Sequence, residues 1–197
     1  MKQAIATGST AARRQRAFNR VNQIKQAGVT LTEMLVSVVV MVAVVGFVYF
    51  MKSQVYGPLL GWMEASTVST HISKIENVFA GSANYTGLTT ASMATPSIVQ
   101  NKYLPGGGVI NNRFNGTVTL GIVTINSAND ALSYTDGNVR SDSCTTLVNQ
   151  LSDDADRITV AGTVVKPLNG VVNAATLKAQ CDSANNVSIM FERMKRA

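Results

Sequence analysis

The sequence holds one histidine, two cysteines and four prolines in 197 residues, and only 14% of it is charged. The scarcity of histidine and cysteine restricts the chemistry at once. A zinc centre wants three or four nitrogen or sulfur ligands, and His71, Cys144 and Cys181 show none of the close spacings such centres use. A serine–histidine–aspartate machine would have His71 as its sole base, yet that residue falls in a run, Ala65–Phe79, that reads as helix. No G-x-S-x-G, S-x-x-K or H-E-x-x-H occurs. No catalytic, cofactor-binding or metal-binding set is expected, and the chain does not read as an enzyme. Acid is missing from residues 1–28, which carry Lys2, Arg13, Arg14, Arg16, Arg20 and Lys25. Removing those six from 17 basic residues leaves 11 against 11 acidic ones, so residues 29–197 have no formal net charge. That remainder has no basic surplus for a phosphate backbone, and direct nucleic-acid binding is not expected. Low charge beside 46% hydrophobic residues also argues against a disordered chain. The length suits one sizeable domain with an additional element.

What the sequence has in abundance is one apolar run, Met34–Met51 (MLVSVVVMVAVVGFVYFM), eighteen residues without charge between Glu33 and Lys52. As a helix at ~1.5 Å per residue it spans roughly 27 Å, close to the ~30 Å hydrocarbon core of a bilayer. Strands run about 4–8 residues, which excludes a single buried strand. The charges before Glu33 are all positive, predicting a cytoplasmic N-terminus and translocation of residues 52–197. The run exceeds the ~7–15 residues of an ordinary signal-peptide core, and no small-x-small cleavage site directly follows it. Tyr49 and Trp62 are placed to mark the outer membrane boundary. Glu33, a carboxylate at the edge of an apolar span, is costly there and so is expected to be functional or paired.

The junction Lys25-Gln26-Ala27-Gly28-Val29-Thr30-Leu31-Thr32-Glu33 carries the resemblance. A basic leader, then Gly28, an apolar residue, Thr-Leu-Thr, Glu33 and an unbroken apolar run resemble the type III signal of type IV prepilins. The long leader and a valine at the mature start look like the type IVb branch. The resemblance implies that a prepilin peptidase cuts between Gly28 and Val29 and that Val29 is N-methylated. Gly28 lets the peptidase approach the scissile backbone closely. The new ammonium of Val29 and the Glu33 carboxylate would form an assembly charge pair between neighbouring subunits. Such a pair in an apolar bundle fixes axial register, as one buried polar residue does in a coiled coil.

Further along, Gly57-Pro58 predicts a kink. Ala65, Val68, Ile72, Ile75 and Phe79 recur at helical spacing, with Ser66, Thr67, Ser69, Thr70, Ser73, Lys74, Glu76 and Asn77 between them. One long helix from about Leu31 to Ala80 is expected, its first half in lipid and its second laid on a soluble core. Beyond it, a short helix is expected over Ala91–Tyr103, interrupted near Pro96. Strands are expected at Thr117–Ile125, Ile158–Val165 and Val187–Phe191, and helices at Ser143–Leu151 and Ala174–Cys181. The fold class is α+β: a long N-terminal helix packed on a globular head with a mostly antiparallel, non-sequential and hairpin-poor sheet. The domain reading is a leader over 1–28, the long helix over 29–83 with its membrane part at about 34–51, and the head over 84–197.

Pro105-Gly106-Gly107-Gly108 lacks the Lys-Ser/Thr of a phosphate loop and reads as a flexible turn. Asp153, Asp154 and Asp156 lack the glycine and glutamate of an EF-hand and read as a solvated helix end. With Cys144 and Cys181 translocated to an oxidising compartment, one disulfide between them is the economical assignment. The resemblance agrees, since type IVb pilins bracket a C-terminal region, here 144–181, with two cysteines.

The function that the resemblance implies is the structural subunit, as major pilin, of a type IVb pilus, a homo-oligomer in a helical filament serving adhesion, aggregation or cell–cell contact such as conjugation. The subunit would sit in the bacterial inner membrane with a periplasmic head before becoming extracellular. Its partners would be the prepilin peptidase, an assembly ATPase and an inner-membrane platform protein. The alternatives are a minor pilin or type II secretion pseudopilin and, from a different class, a bitopic membrane-anchored periplasmic binding protein or enzyme.

Overall fold

A computed structural model describes residues 31–51 and 55–196. The chain divides into two units between Phe47 and Val48.

The first unit holds most of the apolar helix, whose last four residues fall in the second. Helix α1 (Leu31–Met51) contains eight valines, a composition that would favour strand in water because β-branched side chains are stiff. Lipid reverses that preference, because a helix satisfies every backbone group within its own segment. In the isolated chain none of the α1 side chains is buried.

The second unit is the head. Helix α2 (Gly57–Val78) opens with Pro58 in its first turn, where the missing N–H leaves no bond unmade. Gly57 and Pro58, where a kink is expected, lie in the opening turn of α2, which ends at Val78 and not at Ala80; the expected continuity from Leu31 runs through residues 52–54, which lie outside the described residues. Ala65, Val68, Ile72, Ile75 and Phe79 are all buried, as their spacing predicts. Thr67, assigned to the polar face, is also buried and donates to the Met63 carbonyl at 3.0 Å.

The helix expected over Ala91–Tyr103 is two short pieces instead. Helix α3 (Thr90–Met93) is held by a Thr89–Ser92 capping box, and a 3₁₀ turn covers Asn101–Tyr103. Six strands follow: β1 (Ile110–Asn111), β2 (Thr117–Val123), β3 (Ala131–Arg140), β4 (Arg157–Val160), β5 (Thr163–Lys166) and β6 (Asn186–Met194). Helix α4 (Ser141–Leu151) lies between β3 and β4, and helix α5 (Ala174–Cys181) between β5 and β6. The sheet order is β1-β2-β3-β6-β4-β5 and every pairing is antiparallel. The non-sequential sheet is as expected, but the hairpin-poor connections are not. β1–β2, β2–β3 and β4–β5 are successive antiparallel neighbours. The strand expected over Ile158–Val165 folds back on itself, with Ala161 and Gly162 at φ of 48° and 80°. Two consecutive left-handed residues suit the twist of a tight hairpin.

Leu120, Tyr134, Phe191 and Ile158 are direct partners across four neighbouring strands, and all four are buried. This row, with Val68, Ile72 and Ile75 of α2 and Leu147, Val148 and Leu151 of α4, belongs to one continuous core.

Candidate assembly site

Gly28 and Val29, the expected cleavage and methylation positions, lie outside the described residues. Glu33 stands in the first turn of α1 and is the sole charged residue of that helix. A carboxylate there is favoured by the positive end of the helix dipole. Its most apolar 18-residue stretch has a mean hydropathy of 2.7, and the 21 residues reach about 32 Å as a helix, enough to cross a bilayer by length and composition. The Ser37 hydroxyl donates to the Met34 carbonyl at 2.8 Å, so it presents no free donor to lipid.

The head is built around a clamp between α2 and α4. Ser143 donates from Oγ to the Gly57 carbonyl at 2.8 Å. A Cβ on Gly61 would come within 2.5 Å of the Ser143 carbonyl oxygen, so the α4 backbone needs a glycine there. Cys144, next in sequence, is bonded to Cys181 at the end of α5, with Cα atoms 5.7 Å apart and both residues fully buried. The expected pairing is therefore present. The bracketed segment carries the β4–β5 hairpin and a loop on which Val171 is exposed. Lys166 fastens that hairpin by donating to the carbonyls of Ser152 and Ala155.

Besides the tyrosines, three carboxyls and one imidazole are buried in the head among the described residues, and the sequence suggested no role for the three carboxyls. His71 lies against Tyr134, with Nδ1 3.2 Å from the hydroxyl. Burial, with a smaller push from Lys74, takes its pKa down to about 4, so the ring is neutral at pH 7 and fills a core position. Glu192 is held by Arg157, whose Nη2 donates to Oε1 at 2.7 Å. Glu64 accepts from the Arg113 backbone N–H at 3.3 Å and lies 3.5 Å from the Arg113 Nε. Asp136 accepts from Asn112 Nδ2 at 2.5 Å.

Asn112 organises the β1–β2 turn. Its Oδ1 accepts from the backbone N–H of Phe114 and Gly116 at 3.0 and 2.6 Å, and Asn138 closes the far side on the Phe114 carbonyl at 2.9 Å. A sequence signal for Glu64 and His71 existed: with Val68 and Ile75 they fall at i, i+4, i+7 and i+11, on the buried face of α2.

Among the described residues no group of three or more potential metal ligands occurs. Asp154 and Asp156 instead accept from Ser69 Oγ at 3.2 Å and from the Met194 N–H at 2.6 Å. The glycines 106–108 all adopt positive φ and turn the chain beside Val109.

A family profile described as PilS N terminal matches residues 62–192. No curated protein matches by sequence. Among solved structures, a type IV b pilin from Salmonella typhi superposes with a TM-score of 0.52 at 16% identity, covering 66% of this chain and 96% of that one. TcpA, a type IV pilin from Vibrio cholerae El Tor biotype, gives 0.50 at 16% identity, covering 68% and 99%.

Proposed function

Because the chain belongs to the PilS N-terminal family and has the fold of type IVb pilins, we propose that it is the major structural subunit of a type IVb pilus. The carrying observation is a 21-residue apolar helix with a single acid in its first turn, in a chain whose head is of this family. The subunit waits in the bacterial inner membrane with its head in the periplasm. A prepilin peptidase removes residues 1–28 and leaves N-methylated Val29 as the mature start. Cleavage takes away all six leader charges, which would otherwise hold the N-terminus at the cytoplasmic leaflet.

Extraction into the filament exchanges lipid neighbours for sister helices, a near-even trade of apolar surface. Apolar contact alone therefore sets no register. The Val29 ammonium and the Glu33 carboxylate of a neighbouring subunit supply it, because either charge alone in an apolar bundle is strongly unfavourable and the two together are not. Work for extraction comes from an assembly ATPase acting through an inner-membrane platform protein. The role is structural, not enzymatic, and the filament serves contact between the cell and a surface or another cell.

Replacing Glu33 by valine tests this reading. The variant should accumulate as a stable membrane protein with its head folded, while sheared filaments fall at least tenfold, the loss expected when a pairing of this kind disappears. Wild-type filament yield from that variant would refute the register mechanism. Retention of the wild-type chain in the membrane, with none in sheared filaments, would identify a pseudopilin instead.

A further inference from the structure

Asp136 stands in a row of the sheet that is otherwise hydrocarbon. Its cross-strand partners are Val118 on β2 and Ile189 on β6, and Ile189 in turn pairs with Val160 on β4. A fully buried carboxylate needs partners for both oxygens or a proton. Asn112 serves Oδ1, and Oδ2 has no hydrogen-bond partner among the described residues. Glu64 repeats the situation from the helix layer. It is 1% exposed, Arg113 serves Oε2, and Oε1 has no hydrogen-bond partner among the described residues.

The two acids face the same turn. His71 of α2 meets Tyr134 of β3, and from that contact Glu64 is two helical turns back while Asp136 is two residues on along the same face of the strand. Their occupied oxygens grip successive residues of one turn, Asn112 and Arg113. Two carboxylates against one guanidinium would leave a net buried negative charge. Two carboxyls sharing one proton leave none.

We propose that Glu64 and Asp136 hold a single proton between their free oxygens, and that this shared proton, with Arg113, is a pH-operated lock fastening the β1–β2 turn to α2 and β3. The proton is carried by one carboxyl and donated to the other, which serves both orphaned oxygens at once. The other charged and titratable groups facing the pair do not replace it. Lys102 and Tyr103 of the 3₁₀ turn pair with each other, the ammonium lying 4.8 Å from the ring centre. Tyr134 of β3 stays protonated because burial pushes its hydroxyl up. His71 of α2 is neutral. Burial raises Glu64 to about 7 against the lowering effect of Arg113 and Lys102. Burial first, then the Glu64 charge, holds Asp136 well above the carboxylate range. Alkaline surroundings therefore remove the proton, set two carboxylates against each other and loosen the turn, while acidic ones tighten it.

The test uses the full chain in detergent micelles, titrated by infrared spectroscopy for protonated carboxyl and by amide exchange at Phe114 and Gly116. The expected result is one equivalent of protonated carboxyl near pH 6, where free carboxyls are almost wholly ionised, with its band changed by Glu64→Gln and lost as the pH is taken into the alkaline range. Over the same range the protection of Phe114 and Gly116 should fall about tenfold beyond the intrinsic rate change, and that step should be missing from the Glu64→Gln, Asp136→Asn double variant. Full ionisation of both acids near pH 6, two separate protonated equivalents, or an unchanged step in the double variant would each overturn the proposal. The wild-type titration decides by itself if the double variant fails to fold.

Discussion

Replacing Cys144 and Cys181 together by alanine removes a crosslink spanning 37 positions of the chain. Loop-closure entropy for a loop of that length corresponds to about 4 kcal/mol of stability at 25 °C. Both sulfurs are fully buried in the core, so their loss adds about 1 kcal/mol for the voids. A domain of this size has a total stability of about 5–15 kcal/mol, which makes the crosslink a large fraction of it. With a urea slope of about 2 kcal/mol per molar, the unfolding midpoint should drop by about 2.5 M. The assay is equilibrium urea unfolding of the micelle-bound full chain, followed by near-UV circular dichroism of the buried Tyr85, Tyr103 and Tyr134. The comparison is between the oxidised wild type and the double variant. A midpoint change below about 0.5 M would refute the reasoning, because the crosslink would then place little restriction on the unfolded chain.

Two further predictions concern the head. Gly61→Val puts carbon against the Ser143 carbonyl and should destabilise the α2–α4 clamp by about 1–3 kcal/mol, read as a lowered thermal midpoint; a midpoint equal to wild type would mean the helices can separate freely. His71, with its pKa lowered to about 4, contributes stability that is present above pH ~6.5 and lost as pH falls towards 4. Glu64, raised to about 7, contributes stability in the opposite sense, gained as pH falls from 7 towards 4.5. Each amounts to about 2–3 kcal/mol between pH 7 and pH 4.5, so the wild type should be nearly level with respect to these two groups. Relative to the wild type, His71→Gln should gain about that amount of stability on acidification, measured by denaturant unfolding at the two pH values. A variant whose pH profile parallels the wild type would contradict the assignment.

The parts of this protein that rest on long-period signals were legible in the sequence. Eighteen uncharged residues announce α1, and the spacing of Val68, Ile72 and Ile75 announces the buried face of α2. The disulfide followed from compartment and cysteine count. β3 was not legible, although it pairs with both β2 and β6 near the middle of the sheet. Its sequence, ALSYTDGNVR, carries an aspartate, a glycine and an irregularity of register between Asp136 and Val139, all unfavourable to a strand taken alone. Pairing on both sides overrides that preference. The β4–β5 turn was hidden for a different reason: alanine at position 161 gives no warning of a left-handed backbone. The Glu64–Asp136 pair needs two layers to meet, 72 positions apart in the chain, and no local pattern shows that.

In this mechanism proteolysis after a glycine frees an amine that aligns subunits in a filament. Intact-mass and N-terminal fragmentation of the chain recovered from sheared surface filaments tests it most directly. The expected polypeptide begins at N-methylated Val29, with Cys144 and Cys181 oxidised to each other. A filament-borne chain that keeps residues 1–28, or that begins at any other residue, would contradict it.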